Sequence, residues 1–277
     1  MDGPLKYHGG KAYLAKRIVA LMPPKGSFIN YVEPYFGGGS VLLEMDPEGV
    51  SEVANDLNAE LANFWACLRD PLAFGLMRRQ LEAMPFSEKD WHEAGCPDEA
   101  EGYWARSPHA PVDRAIAFFV RCRQSLSGRM AAFAGLTKTR TRRGMNEQVS
   151  AWLNAVDGLP AVHARLRRVL VLNRPALDVI REFDGAQALF YLDPPYLHDT
   201  RATTGEYAHE MSDVDHELLL AALVGIKGKF LLSGYHSKPY DQKAGIYGWK
   251  CHTFDLPNNS AGGKTKQRRV ECVWTNF

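Results

Sequence analysis

The sequence predicts an α/β fold in which an open, mixed sheet with a C-terminal antiparallel hairpin is interrupted by a helical insertion. Three observations carry this. Helical stretches and short apolar strands alternate over residues 12–59, with a glycine-rich turn directly after the first strand. From about Glu60 to Arg168 the pattern turns helical and irregular, with a loop-like stretch at 96–111 and a polar one at 135–144. Strand signals return at Val169. The core is therefore discontinuous, residues 1–59 and 166–277, around an insertion at 60–165.

Taken in order, a helix is expected over 12–21, stopped by Pro23-Pro24. A strand follows at Phe28–Val32, then the glycine turn, a short helix and a second strand at Glu52–Ala54. After the insertion come strands at Val169–Leu172, Ala188–Leu192 and Phe230–Leu232, with a helix over Val214–Ile226 between the last two. Trp249–Phe254 and Val270–Trp274 read as a hairpin around the polar loop 258–269. There is no internal repeat and no low-complexity tract.

At 277 residues with 45% hydrophobic and 23% charged, the chain is long and apolar enough for a sizeable core. The net charge of +1 means that any nucleic-acid surface must be a local patch. Cys67, Cys96, Cys122, Cys251 and Cys272 are odd in number and no two lie closer than 21 positions, which predicts neither a disulfide framework nor a zinc cluster and fits a reducing cytoplasm. His198, His209, His216 and His236 show no zinc-ligand spacing either, so no metal is expected; packing, capping or DNA contact is. Met1–Lys11 holds no long apolar run, and no membrane span is expected.

The strongest chemical signal is Asp193-Pro194-Pro195-Tyr196, directly after an apolar strand, where open α/β sheets bind ligands. The prolines remove two N–H donors and leave carbonyls facing outward. An amine conjugated to a ring becomes nucleophilic when its hydrogens are held by acceptors, and Asp193 with the Pro194 carbonyl supplies two. Tyr196 offers a face on which a base can stack.

Glu33-Pro34-Tyr35-Phe36-Gly37-Gly38-Gly39-Ser40 also follows a strand. Its glycines permit positive φ and close approach of a ligand, while the absence of a P-loop lysine argues against an NTPase. Asp56 ends the next strand 19 positions after Gly37, near the spacing (roughly 20) at which a nucleoside-binding unit holds ribose hydroxyls. Tyr7 and Lys11, flanking Gly9-Gly10, can pack on an adenosine and reach a carboxylate. Between Arg114 and Asn146 stand eight basic residues and no Asp or Glu. A solvated charged face is the plain alternative, but such a run favours phosphate contact, and Arg121, Arg123, Gln124, Ser127, Arg129, Lys138, Arg140, Arg142 and Arg143 are the candidate DNA-contacting residues.

Together these motifs resemble the Dam-type class of adenine-specific DNA methyltransferases over most of the chain. The opening signature matches at Tyr7 and Gly9-Gly10-Lys11, the S-adenosyl-L-methionine (AdoMet) loop at Glu33-Pro34 through Phe36, Gly37 and Gly39, the ribose acid at Asp56, and the catalytic motif at Asp193 to Tyr196. Phage and prophage members are also similar around 207–211, Asp215-His216 and Leu232-Ser233-Gly234-Tyr235. The resemblance implies a Rossmann-like AdoMet-dependent core, a helical recognition insertion, and methylation of the adenine amino group in double-stranded DNA after base flipping, with no obligate protein partner. The class often has Asp-Phe after its third strand; this chain has Asn173-Arg174, and Asn173 is the candidate adenine contact there. Cytosine, an RNA base, or an inactive nucleic-acid binder of the same fold remain as alternatives on residues alone.

Overall fold

The computed structural model describes residues 1–7, 9–95, 110–197, 210–257 and 268–277. In chain order the elements are α1 (Ala15–Val19), β1 (Asn30–Glu33), α2 (Ser40–Glu44), β2 (Ser51–Asn55), α3 (Ala59–Arg69), α4 (Pro71–Ala83) and α5 (Glu88–Glu93). Next come α6 (Ala110–Arg123), β3 (Thr141–Arg142), β4 (Met145–Asn146), α7 (Glu147–Leu166), β5 (Val169–Leu172), α8 (Ala176–Phe183) and β6 (Ala188–Leu192). The chain closes with α9 (Asp213–Val224), β7 (Lys229–Tyr235), α10 (Lys238–Tyr247), β8 (Lys250–Pro257) and β9 (Arg268–Thr275).

Seven strands form one sheet in the order β5-β2-β1-β6-β7-β9-β8, while β3 and β4 pair as a separate ribbon. β1 runs parallel to β2 and β6, and β6 parallel to β7. β9 runs antiparallel to both β7 and β8, so the expected hairpin closes the sheet with its second strand inside its first. Every residue of β6 is buried, as expected of a parallel strand covered on both faces, which explains an apolar run without alternation. Among the described residues no helix is long and apolar enough to cross a membrane.

The first helix is shorter than the expected 12–21. Leu14 and Ala15 N–H groups both bond to the Lys11 carbonyl, and Leu21 and Met22 donate to Ile18 and Val19. The last two are i to i+3 bonds that tighten the chain before Pro23-Pro24 and leave a short helix. The polar stretch at 135–144 contains part of the β3–β4 ribbon instead of plain loop. Most of the 96–111 and 258–269 loops lies outside the described residues.

The chain divides into two compact units. The first comprises residues 1–16, 37–46 and 58–173. Its helices α3, α4, α6 and α7 bury Phe64, Trp65, Phe119 and Trp152. Phe64 stacks on Phe119 at 5.8 Å and meets Trp65 edge-on at 5.1 Å, and the Trp152 indole donates to the Met84 carbonyl at 2.9 Å. The second unit, residues 17–36, 47–57 and 174–277, carries β1, β2, β6 to β9 and α8 to α10.

Candidate active site

In the second unit, β1, β2, β6 and β7 run parallel, so their carboxyl ends lie on one edge, where open α/β sheets take ligands. β1 ends in buried Glu33, whose Oε1 accepts from the Tyr31 hydroxyl at 2.6 Å, and buried Pro34 follows. Phe36, also buried, donates its N–H to the Asn55 carbonyl at 2.8 Å. Asn55 was absent from the sequence candidates, yet it locks this edge. Its Nδ2 donates to the carbonyls of Pro34 (2.9 Å) and Arg174 (3.0 Å), and its Oδ1 accepts from Arg174 N–H at 3.0 Å.

Truncating Asn55 leaves buried backbone groups unsatisfied. Asn55→Ala is therefore expected to lower stability by about 1–3 kcal/mol, measured by urea denaturation; an unchanged midpoint would remove the clamp from the account. Asp56 follows, half-buried. The N-cap of α3 is Asn58, which accepts from Glu60 and Leu61 N–H groups at 3.0 and 3.2 Å, so capping does not explain Asp56.

Asp193 leaves the middle of the sheet, since β6 lies between β1 and β7. It is half-buried, as is Pro195, while Pro194 and Tyr196 are buried. Tyr196 meets Tyr235, the last residue of β7, edge to face with ring centroids 4.8 Å apart. Two residues missed as site candidates stand behind. Burial, reinforced by Tyr35 and the Asp193 carboxylate, raises the Tyr240 phenol above its ordinary range and keeps it neutral. Its hydroxyl lies 2.9 Å from Nδ1 of buried His216. Burial, then the Asp215 charge, raises Tyr35 likewise.

In the first unit Tyr7 lies against the glycine turn. A Cβ added at Gly38 would come 3.2 Å from Tyr7 Cβ, and one at Gly37 would come 3.6 Å from its ring. Gly37 and Gly39 hold φ of 50° and 68°, which L-residues adopt rarely. The Trp65 indole donates to the Gly37 carbonyl at 3.0 Å and pins the turn, a role no local pattern signals. Lys11 is buried with its ammonium 3.1 Å from the Gly9 carbonyl, and Asn173 is exposed after β5.

The basic stretch separates into two groups. Gln124 is fully buried; its Oε1 accepts from Ser87 N–H at 2.9 Å and its Nε2 donates to the Pro85 carbonyl at 3.2 Å. Arg121 donates to the Met130 carbonyl at 2.6 Å and stacks 4.0 Å over the Trp91 ring. Arg123 donates to the Ala151 carbonyl at 2.9 Å. These three hold α6 in place, since groups this engaged cannot also read a base edge at no cost. Arg129, Lys138, Arg140, Arg142 and Arg143 are exposed, the last four on or beside the β3–β4 ribbon. The Ser127 side chain lies outside what is described, as do His198 and His209.

Residues 7–244 match the family model of the D12 class N6 adenine-specific DNA methyltransferases. A search of the curated proteins finds no match.

Proposed function

The chain belongs to the D12 class of N6 adenine-specific DNA methyltransferases, and on that premise we propose that the end of β6 holds a target adenine swung out of a DNA duplex. The activity of the class, AdoMet-dependent methylation of the adenine amino group in DNA, decides against cytosine, an RNA base and an inactive binder. Flipping costs a few kcal/mol of stacking and pairing. The observation that supports this reading most is the placement of Asp193, half-buried at the carboxyl end of the central strand, followed by the buried Tyr196 ring.

The residues present fit AdoMet. Gly37 and Gly39 at positive φ leave a turn without side chains, the bare backbone that close approach of a ligand requires. In the first unit we assign Tyr7, Lys11, Gly37, Gly39 and Asn173 to its binding; in the second, Glu33, Pro34, Phe36, Asp193 and Asp56, the last for the ribose hydroxyls. AdoMet supplies an electrophilic methyl on a sulfonium. The protein's own contribution is orientation and hydrogen bonding. Asp193 and the Pro194 carbonyl accept the two amino hydrogens of adenine, which concentrates the lone pair on nitrogen. Pro195 fixes the backbone and Tyr196 stacks on the base. The proton becomes acidic only as the nitrogen gains positive charge, and it then passes to the Asp193 carboxylate.

The test is transfer of labelled methyl groups to duplex DNA, read by nucleoside analysis. Wild type yields N6-methyladenine. Tyr196→Ala is expected to lose the equivalent of about 1–3 kcal/mol of base stacking. Equal transfer by that variant to duplex would remove the stacking role.

Residues 60–165 are the proposed recognition part, within a core of 1–59 and 166–277, and double-stranded DNA without an obligate protein partner is the proposed substrate. Exposed Arg129, Lys138, Arg140, Arg142 and Arg143 would contact phosphates. If Arg142 neutralises one phosphate, Arg142→Ala weakens binding to all sequences alike and lowers the slope of log K against log salt by about 0.9. Fluorescence anisotropy over a salt series checks this, and an unchanged slope excludes the contact.

A further inference from the structure

Three ligand-type side chains that the catalytic assignment leaves unused converge on the last strands of the sheet. His236 directly follows β7, Cys251 lies on β8 and Cys272 on β9. The antiparallel register sets Cys272 opposite both Gly234 and Thr253, and Cys251 opposite Trp274. Cross-strand partners and alternate residues share a face, so Cys251 and Cys272 are on the same side of the sheet. A ring nitrogen of His236 and the two Sγ atoms all lie within 4.8 Å of one another. The two thiols share a hydrogen bond.

A further residue orients the imidazole. His236 Nδ1 lies 2.9 Å from Oδ1 of Asp241, in the first turn of α10. A carboxylate on one ring nitrogen is the usual partner of a metal-bound histidine, fixing the tautomer and leaving the other nitrogen for the ion.

We propose that His236, Cys251 and Cys272 form a zinc(II) site with Asp241 as the support of the histidine. Two thiolates and an imidazole are the donor set that zinc favours, at about 2.3 Å for sulfur and about 2.0–2.1 Å for nitrogen. Ligand atoms already within 4.8 Å need only a small inward movement to reach those lengths. His236 and Cys251 are exposed, which leaves the fourth position to water. Binding releases the two thiol protons to solvent, with no change of oxidation state. The ion would tie the chain leaving β7 to the β8–β9 hairpin, and an ion that binds only the folded chain stabilises it.

The test uses the full chain, reduced and stripped of metal, titrated with cobalt(II) as a spectroscopic probe and then with zinc(II). Wild type is expected to take up one cobalt with thiolate charge-transfer bands, to release it to zinc, and to melt at a higher temperature with zinc bound. Cys251→Ser and His236→Ala should each bind at least about ten-fold more weakly while methyl transfer is unchanged. Cys251 is exposed, so its replacement leaves the core intact, and circular dichroism verifies the fold. Absence of thiolate bands in wild type overturns the site, as does wild-type affinity in Cys251→Ser. A Cys251–Cys272 disulfide forming in air, with no metal uptake by the reduced chain, would also overturn it and make the pair a redox couple.

Discussion

Replacing Asp193 with alanine is expected to cut the single-turnover rate of methyl transfer by about 10²–10³-fold, the range lost when one hydrogen-bonding group aimed at developing charge is removed. The measurement is made at saturating AdoMet, so that weaker cofactor binding does not enter the rate. Two functions are lost together. The adenine amino group loses the acceptor that holds one hydrogen, and the nitrogen loses the base that takes its proton once the methyl is on. Asp193→Asn separates them, because its amide oxygen still accepts while it carries no charge. An intermediate rate is expected for it. Full turnover by Asp193→Ala would sink the catalytic assignment, whereas a loss confined to AdoMet affinity would move Asp193 to cofactor binding alone.

The second large effect is one of packing. Gly128 closes a 3-10 turn at Leu126–Gly128 with φ of 73°. A Cβ there would fall inside the contact radius of the Lys6 carbonyl oxygen and crowd the Lys6 side chain. That oxygen already accepts from the Cys122 thiol at 3.2 Å, so the segment is held from two sides. Left-handed backbone costs a substituted residue about 1–2 kcal/mol and overpacking about 1–3 kcal/mol more, so Gly128→Ala should destabilise by about 2–5 kcal/mol.

If the chain yields instead, it yields at Lys6-Tyr7, and Tyr7 lies against Gly37-Gly38. AdoMet affinity should then fall with stability. Gly135→Ala is the control: φ is 62° but nothing lies within 4 Å of its added Cβ, so only the backbone cost remains. Urea denaturation and calorimetric AdoMet binding on both variants read the difference. Equal losses in the two would show that the Lys6 contact carries no energy.

Much of the molecule was legible from local pattern. The apolar run 188–192 is β6 to the residue, because a strand buried on both faces needs every side chain apolar. Asp193, Gly37 and Asp56 stand just after strands, as their local pattern predicts, since backbone geometry there is set within a few residues. The partners of Gln124 were not legible, because its residue type suits base contact equally well as it suits tying Pro85 and Ser87 together. Nothing between residues 85 and 124 in sequence announces that pairing. Asn55 and Trp65 were missed for the same reason, since their partners Arg174 and Gly37 stand 119 and 28 positions away.

Sequence by itself determined the seven strands of the main sheet, the glycine turn, the order of the motifs and the family, all of which rest on interactions between near neighbours or on residue type. Tertiary structure alone decided which basic side chains remain exposed, that β9 lies between β7 and β8, and that residues 236, 251 and 272 meet. The physical reason is strand register. The β8–β9 pair is a hairpin that the sequence announces, but pairing of β7 with β9 brings side chains together by hydrogen bonds between backbones distant in sequence, and neither residue type nor spacing along the chain encodes that β9 and not β8 becomes the neighbour of β7.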